Sequence, residues 1–292
     1  MFHSGELAVQ QRLGQAETAA HVGRSIRSQI PAVAASFLAQ QPMVVLSAAD
    51  PAGRLWCSPL TGPAGFVHAI DDVTIGIDTV PAADDPLSAA LAGDVAVGII
   101  ALEPQRRRRM RVNGTSTARA DGLRITTEQV YANCPKYISR RHIQEIAAAS
   151  IEPVWRGTEL TTAAVEMIGG ADTFFVATAD AEGHADASHR GGNPGFLQVL
   201  SANRLRWPDY RGNSMFMTLG NIAVQPRCGL LIADWSTGAL LQLTGHAEIL
   251  WDTETLTAGA QCAVDFTIEQ IVERPGALAL RWGPSELSPV NP

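Results

Sequence analysis

Charged residues are scarce in this chain. Asp, Glu, Lys and Arg make up 17% of its 292 residues, against 46% hydrophobic. That balance excludes a self-repelling, disordered chain and implies a compact one with a large core. Long apolar runs are missing too: none approaches the roughly 18 residues that a membrane span requires. Residues 1–15 lack a basic stretch followed by an apolar one, so no secretory signal is expected. Cysteines are few (Cys57, Cys134, Cys228 and Cys262) and none sits in a Cys-x-x-Cys pair. This fits a reducing cytoplasm. A net charge of -7 argues against general nucleic-acid binding. Also absent are a Ser-His-Asp order, a paired-carboxylate motif, a P-loop and a dinucleotide fingerprint.

What is present is a repeat. Asp50, Gly53, Ser58, Gly62, Gly65 and Phe66 recur as Asp180, Gly183, Ser188, Gly192, Gly195 and Phe196, at a constant offset of 130 residues. Val97-Gly98-Ile99-Ile100 recurs as Cys228-Gly229-Leu230-Leu231, and Val112-Asn113-Gly114 as Leu243-Thr244-Gly245, with the offset now 131. Spacing kept over so long a stretch indicates two copies of one unit.

Each copy reads as β. Short apolar runs are bounded by Gly, Pro, Asn or Asp. Asp50-Pro51-Ala52-Gly53 and Asp180-Ala181-Glu182-Gly183 have the composition of hairpin turns. Val264, Phe266 and Ile268 alternate with polar residues, so that strand buries one face. The expected fold is mainly β with flanking helices, as tandem split barrels. Residues 1–40 read as a helical segment, 41–126 as the first copy, 127–169 as a helical connector and 170–292 as the second copy. Within these, Glu6–Ser28, Pro31–Gln40, Thr127–Ala149 (kinked at Pro135), Thr158–Ile168 and Asn213–Val224 are the predicted helices.

Four blocks in the second copy carry a family likeness. They are Ala187-Ser188-His189-Arg190-Gly191-Gly192-Asn193-Pro194-Gly195-Phe196, Trp207-Pro208-Asp209-Tyr210-Arg211-Gly212-Asn213, Thr218-Leu219-Gly220-Asn221-Ile222 and Leu241-Gln242-Leu243-Thr244-Gly245. In this order and spacing they resemble the pyridoxamine 5'-phosphate oxidase-like FMN-binding proteins. His189, Gly192 and Gln242 depart from the family pattern, where Pro, Asp and Arg stand. The resemblance implies a pseudo-dimer in one chain, with FMN in the cleft between copies. The first copy has Leu60-Thr61 in place of the Arg-Gly element, so one intact site per chain is expected.

FMN carries a phosphate that wants arginine and several N–H or O–H donors, and a flat ring that wants an apolar or aromatic wall. Ser188, Arg190, Gly191, Gly212, Asn213, Ser214 and Thr218 are the candidates at the phosphate side, and Asp209 and Asn221 are further cofactor-site candidates. Trp207, Tyr210, Gln242 and Thr244 are candidates for the ring. Gln242 is a buried amide that needs a partner, or lies at an edge. Arg111 is the first-copy candidate, and Lys136, Tyr137 and Arg140 are added from a block that resembles one in two-copy relatives.

The run Arg106–Arg111 reads as a solvated hairpin rather than a nucleic-acid patch, with Arg107, Arg109 and Arg111 on one face. His184, Asp186 and His189 do not make a metal site, and none is expected. Two functions compete: an FMN-dependent oxidoreductase acting on a small molecule, fed by a separate reductase, and a non-catalytic flavin or haem carrier. Neither a membrane nor a nucleic acid is an expected partner; homodimerisation is left open.

Overall fold

The computed structural model describes residues 2–148, 150, 152–252 and 257–292. Three short helices come first: α1 (Ser4–Arg12), α2 (Ala16–Gly23) and α3 (Ala32–Ala39). The first copy follows as β1 (Met43–Ala49), β2 (Leu55–Thr61), β3 (Val67–Ala69), β4 (Thr74–Ile77), β5 (Val95–Glu103), β6 (Arg108–Arg119) and β7 (Gly122–Asn133). Strands β8 (Ile143–Ile146) and β9 (Trp155–Gly157) and helix α4 (Thr162–Gly170) lie between the copies. The second copy holds β10 (Thr173–Ala179), β11 (Ala185–Gly191), β12 (Gln198–Ser201), β13 (Arg204–Tyr210), α5 (Met217–Val224), β14 (Arg227–Ala233), β15 (Leu240–Leu250) and β16 (Ala260–Arg274). Strand β17 (Leu280–Trp282) closes the chain by pairing with β8.

The two sheets have one topology. The first runs β2-β1-β5-β6-β7-β4-β3 and the second β11-β10-β14-β15-β16-β13-β12, every neighbour antiparallel. Matched chemistry builds matched turns. Asp50 Oδ1 accepts the amides of Ala52 and Arg54, and Asp180 Oδ1 those of Glu182 and His184. Gly53 and Gly183 close these turns at φ 76° and 90°, where a side chain is disfavoured. The register also slips at the same place in each copy, between Asn113 and Gly114 and between Thr244 and Gly245. The chain is a tandem split barrel, mainly β with flanking helices.

Three large apolar cores result among the described residues, beside a small cluster of Tyr131, Met215 and Met217. Val44, Leu46, Ile75, Ile99 and Val112 fill the first barrel, and Phe174, Val176, Trp207, Leu230 and Phe266 the second. A third, with Val45, Cys57, Ile100, Phe175, Ala187 and Leu231, joins the barrels. Alternate residues of β1 and β10 therefore point into a barrel and into the joint. Gly98 on β5 lies against the backbone of Asp186 and Ala187, and Gly229 on β14 against that of Leu55 and Trp56. A Cβ at either glycine would collide with main chain. The pseudo-two-fold axis thus runs between two backbone crossings.

Three helical expectations are corrected. The segment 127–148 holds no helix: β7 stays paired with β6 as far as Asn133, and Pro135 then removes a backbone donor. Glu6–Ser28 is two helices, because Gly14 adopts φ 65° between them and α2 stops at Gly23. The last helix starts at Met217 rather than Asn213, since Ser214 and Phe216 take left-handed backbone at φ 65° and 60°. No helix among the described residues is long and apolar enough to cross a membrane.

Candidate functional site

A cleft opens between the copies. The first copy contributes β6, the end of β7 and Tyr137; the second contributes β11, the end of β13 and the segment 212–219. Ten of the residues expected from sequence line it: Arg111, Tyr137, Arg190, Gly191, Asp209, Tyr210, Gly212, Asn213, Ser214 and Thr218. Ser188 lies just beneath, its hydroxyl 2.5 Å from that of Thr218 and donating to Asp186 at 3.2 Å. Lys136 stays at the rim, with Nζ 3.4 Å from the Arg211 carbonyl. The Tyr137 and Tyr210 rings pair at the mouth, centroids 5.3 Å apart.

The remaining candidates lie elsewhere. Trp207 is completely buried between Phe174 and Phe266, so it is barrel core and not cofactor wall. Asn221 turns to the back of α5, where it donates to Thr178 and its Oδ1 meets His3 Nε2 at 2.8 Å. Arg140 pairs with exposed Glu286. Gln242 and Thr244 sit on β15, the counterpart of β6. The pseudo-symmetry directs β6 toward this cleft and β15 toward the other one. Gln242 accordingly donates to the Cys57 carbonyl and the Ser58 hydroxyl.

Arg109 and His189 were missed as site residues. Arg109 stands two residues before Arg111 on β6, on the same face, and reaches across the joint. Its Nη1 lies 2.7 Å from His189 Nδ1 and its Nη2 3.8 Å from Cys134 Sγ. The shared face of alternate arginines was visible in sequence; that this face looks into a cleft was not. The ring of His189 is buried edge-on to Phe175. Burial, and then Arg109, Arg190, Arg141 and Arg111, press its pKa well below the usual imidazole range. It is neutral, and with Arg109 donating to Nδ1 the proton belongs on Nε2.

The charges of the cleft do not balance locally. Arg111 pairs with Asp186 at 2.9 Å, and Arg190 with Asp209 at 3.2 Å. Burial works against the charge of Arg111, yet Asp186 and Tyr131 hold its pKa above the ordinary value. Burial raises that of Asp209, and Arg190 opposes the rise. Arg109 has no carboxylate partner among the described residues. Burial, helped by Arg111 and Arg190, lowers its pKa to about 10, so it stays charged at neutral pH. The Nε atoms of all three arginines and Nε2 of His189 are buried without a hydrogen-bond partner. Such unmet donors need an explanation, and an anion supplies one. The free volume is about 80 Å3. That is below the roughly 300–1,000 Å3 of small-molecule sites, so a ligand of that size must displace the wall.

A long stretch of the wall, 212–217, belongs to neither sheet. Helix α1 and the turn to α2 brace it from behind: Gln10 donates to the Met215 carbonyl at 3.0 Å, and Ser214 donates to Gln15 at 2.6 Å.

The second, pseudo-symmetric cleft is filled. Leu60 occupies the place of Arg190 and is core. Asp85, from the loop that replaces 211–226, accepts from Ser58 at 2.5 Å and pairs with Arg274 at 2.9 Å. Gln242 completes this buried network. The Asp180, Glu182 and His184 side chains do come within 4.8 Å of one another, but they form an exposed hairpin turn in which Asp180 already binds His184, and His189 stands apart from them.

The chain is thus a split barrel in tandem with an arginine-lined cleft at the joint. Residues 160–284, the second copy, match the family model described as pyridoxamine 5'-phosphate oxidase. No curated protein matches it. Among solved structures, one of a putative pyridoxamine 5'-phosphate oxidase from Lactobacillus delbrueckii is 20% identical, covering 39% of this chain and 94% of that one at a TM-score of 0.33. An FMN-binding protein from Syntrophomonas wolfei is 11% identical over 37% of this chain and 84% of its own, at 0.29. HutZ, the heme storage protein of Vibrio cholerae, is 13% identical over 37% and 90%, at 0.28.

Proposed function

We propose that this protein is an FMN-dependent oxidoreductase acting on a small molecule, with electrons delivered by a separate donor such as a reductase. The observation that carries the reading is Arg109, a half-buried guanidinium with no carboxylate partner among the described residues, set beside Arg190 and Arg111. This donor set fits a phosphate. Ser214 and Thr218 add hydroxyls at the same wall, and the paired Tyr137 and Tyr210 rings offer a face to a flat ring. When bound there, FMN supplies the electron chemistry, and the protein supplies position and field.

The residues have distinct tasks. Arg109 and Arg190, the latter still steadied by Asp209, would hold the anion. Arg111 is fixed by Asp186 and Tyr131 and keeps the floor of the cleft positive. Neutral His189 orients Arg109 and offers one N–H, without adding a fourth charge.

The test is titration of the purified chain with FMN, followed by flavin fluorescence. Loss of one charge-assisted contact in Arg109→Ala weakens affinity by roughly 10- to 150-fold, or about 1.5–3 kcal/mol. NADH, NADPH or a partner reductase then bleaches the bound flavin band, and oxygen or substrate restores it. Unchanged affinity in Arg109→Ala removes the anion site. A bound flavin that no donor reduces leaves a carrier, and a Soret band in place of flavin bands makes the protein a haem binder.

A further inference from the structure

The arginine run from Arg106 to Arg109 is not used up by the cleft. It forms the rim of a second hollow on the other side of β6, about 650 Å3 in volume. Its floor is apolar: Pro31, Val33 and Phe37 on the α3 side, Met110 on β6, and Val130 and Pro135 at the end of β7 and beyond. Val33 is 70% exposed, a large apolar side chain held out over the hollow. Arg108 lies over the Phe37 ring at 4.9 Å and keeps its guanidinium at the rim. Arg27 joins from the segment after α2.

Only two carboxylates reach these five arginines among the described residues. Glu103 is shared by Arg106 at 3.3 Å and Arg108 at 3.6 Å, and Glu286 meets Arg107 at 3.1 Å. In a chain of net charge -7, this is a concentrated excess of positive charge around an apolar floor. Arg109 and Asn133 line both the hollow and the cleft, so one thin wall separates them.

We infer that this hollow binds a small amphipathic anion, an apolar body bearing one carboxylate or phosphate, and that it is the substrate side of the cleft. The apolar body lies on Val33 and Phe37, and the anionic head pairs with Arg106 and Arg108. The concave shape and a volume within the usual range favour a free small molecule over a lipid surface. The binding stands on the hollow alone; its link to catalysis rests on the flavin reading above.

The test uses the full chain, with and without FMN, in calorimetric titrations against octanoate, 1-octanol and octylammonium. Octanoate binds, 1-octanol binds about tenfold more weakly, and octylammonium does not bind. The double variant Arg106→Glu/Arg108→Glu loses about tenfold in octanoate affinity and keeps its FMN affinity. Val33→Asp weakens octanoate and 1-octanol alike. In the FMN-loaded chain, octanoate also shifts the flavin absorbance across the wall at Arg109 and Asn133. Equal binding of octylammonium, or parental octanoate affinity in the double variant, overturns the inference. So does sedimentation with phosphatidylglycerol vesicles that octanoate fails to compete away. Octanoate binding without a flavin shift overturns the link to the cleft. Charge-dependent octanoate binding in a chain that never takes FMN keeps the hollow and discards the flavin reading. FMN binding without octanoate binding does the reverse.

Discussion

The two clefts of this molecule start from one blueprint and end as opposites. In the open cleft, β11 offers Arg190, β6 offers Arg109 and Arg111, and the positive charge exceeds its local partners. In the closed one, β2 offers Leu60, β15 offers Gln242, and Asp85 folds in to meet Arg274. The same backbone thus serves as an anion site or as a sealed joint, according to whether the charge that satisfies the buried arginine comes from outside or from the chain.

Three experiments break or sharpen this contrast. The largest effect is expected in the closed cleft. Arg274→Ala leaves Asp85 buried without its cation, against burial that already raises the Asp85 pKa. Loss of about 3–5 kcal/mol of stability is expected by urea denaturation, with FMN affinity intact. Arg109→Ala in the open cleft should do the opposite, sparing stability and costing binding. If both variants destabilise equally, the contrast fails.

A smaller effect concerns the brace behind the open cleft. Glu6 on α1 is buried, and burial raises its pKa from 4.5 to about 7, against the pull of His3. The folded state therefore holds a proton that the unfolded state releases above 4.5. This contribution is fully present below that pH and is lost as pH rises through 7. Between pH 5 and 8 the parent should lose on the order of 3 kcal/mol relative to Glu6→Gln. Parallel stability curves for the two chains would show that Glu6 does not titrate in this window.

The smallest effect belongs outside both clefts. Arg107 pairs with exposed Glu286 and donates to the Ile138 carbonyl at 2.8 Å. Arg107→Ala should cost about 0.2–1 kcal/mol in thermal stability and leave FMN affinity unchanged. A tenfold fall in FMN affinity would spread the anion site along the whole arginine run.

Much of the fold was legible because it repeats. The hairpin aspartates, the register slips before Gly114 and Gly245, and the crossing glycines Gly98 and Gly229 occupy matched positions, so each copy vouches for the other. The helical reading of 127–148 failed because strand pairing with β6 outweighs local composition. On the site, Arg190, Asp209 and the 212–218 segment could be read locally, since they belong to contiguous motifs. Arg109 could not, because its role depends on which face of β6 crosses the joint. Gln242 and Thr244 misled for the same reason: their motif is in register with the family pattern, but the pseudo-symmetry turns that strand toward the other cleft. Asp85 and Arg274 come from unrelated loops and strands, and no spacing announces them.

The crossings at Gly98 and Gly229 have a mechanical consequence. A body held at one point swivels freely; one pinned at two keeps only the hinge about the line that joins them. With main chain touching main chain at both places, relative motion of the barrels is confined to that line. The wall 212–217 of the open cleft lies in neither sheet, and Gln10 of α1 and Gln15 ahead of α2 hold it from behind.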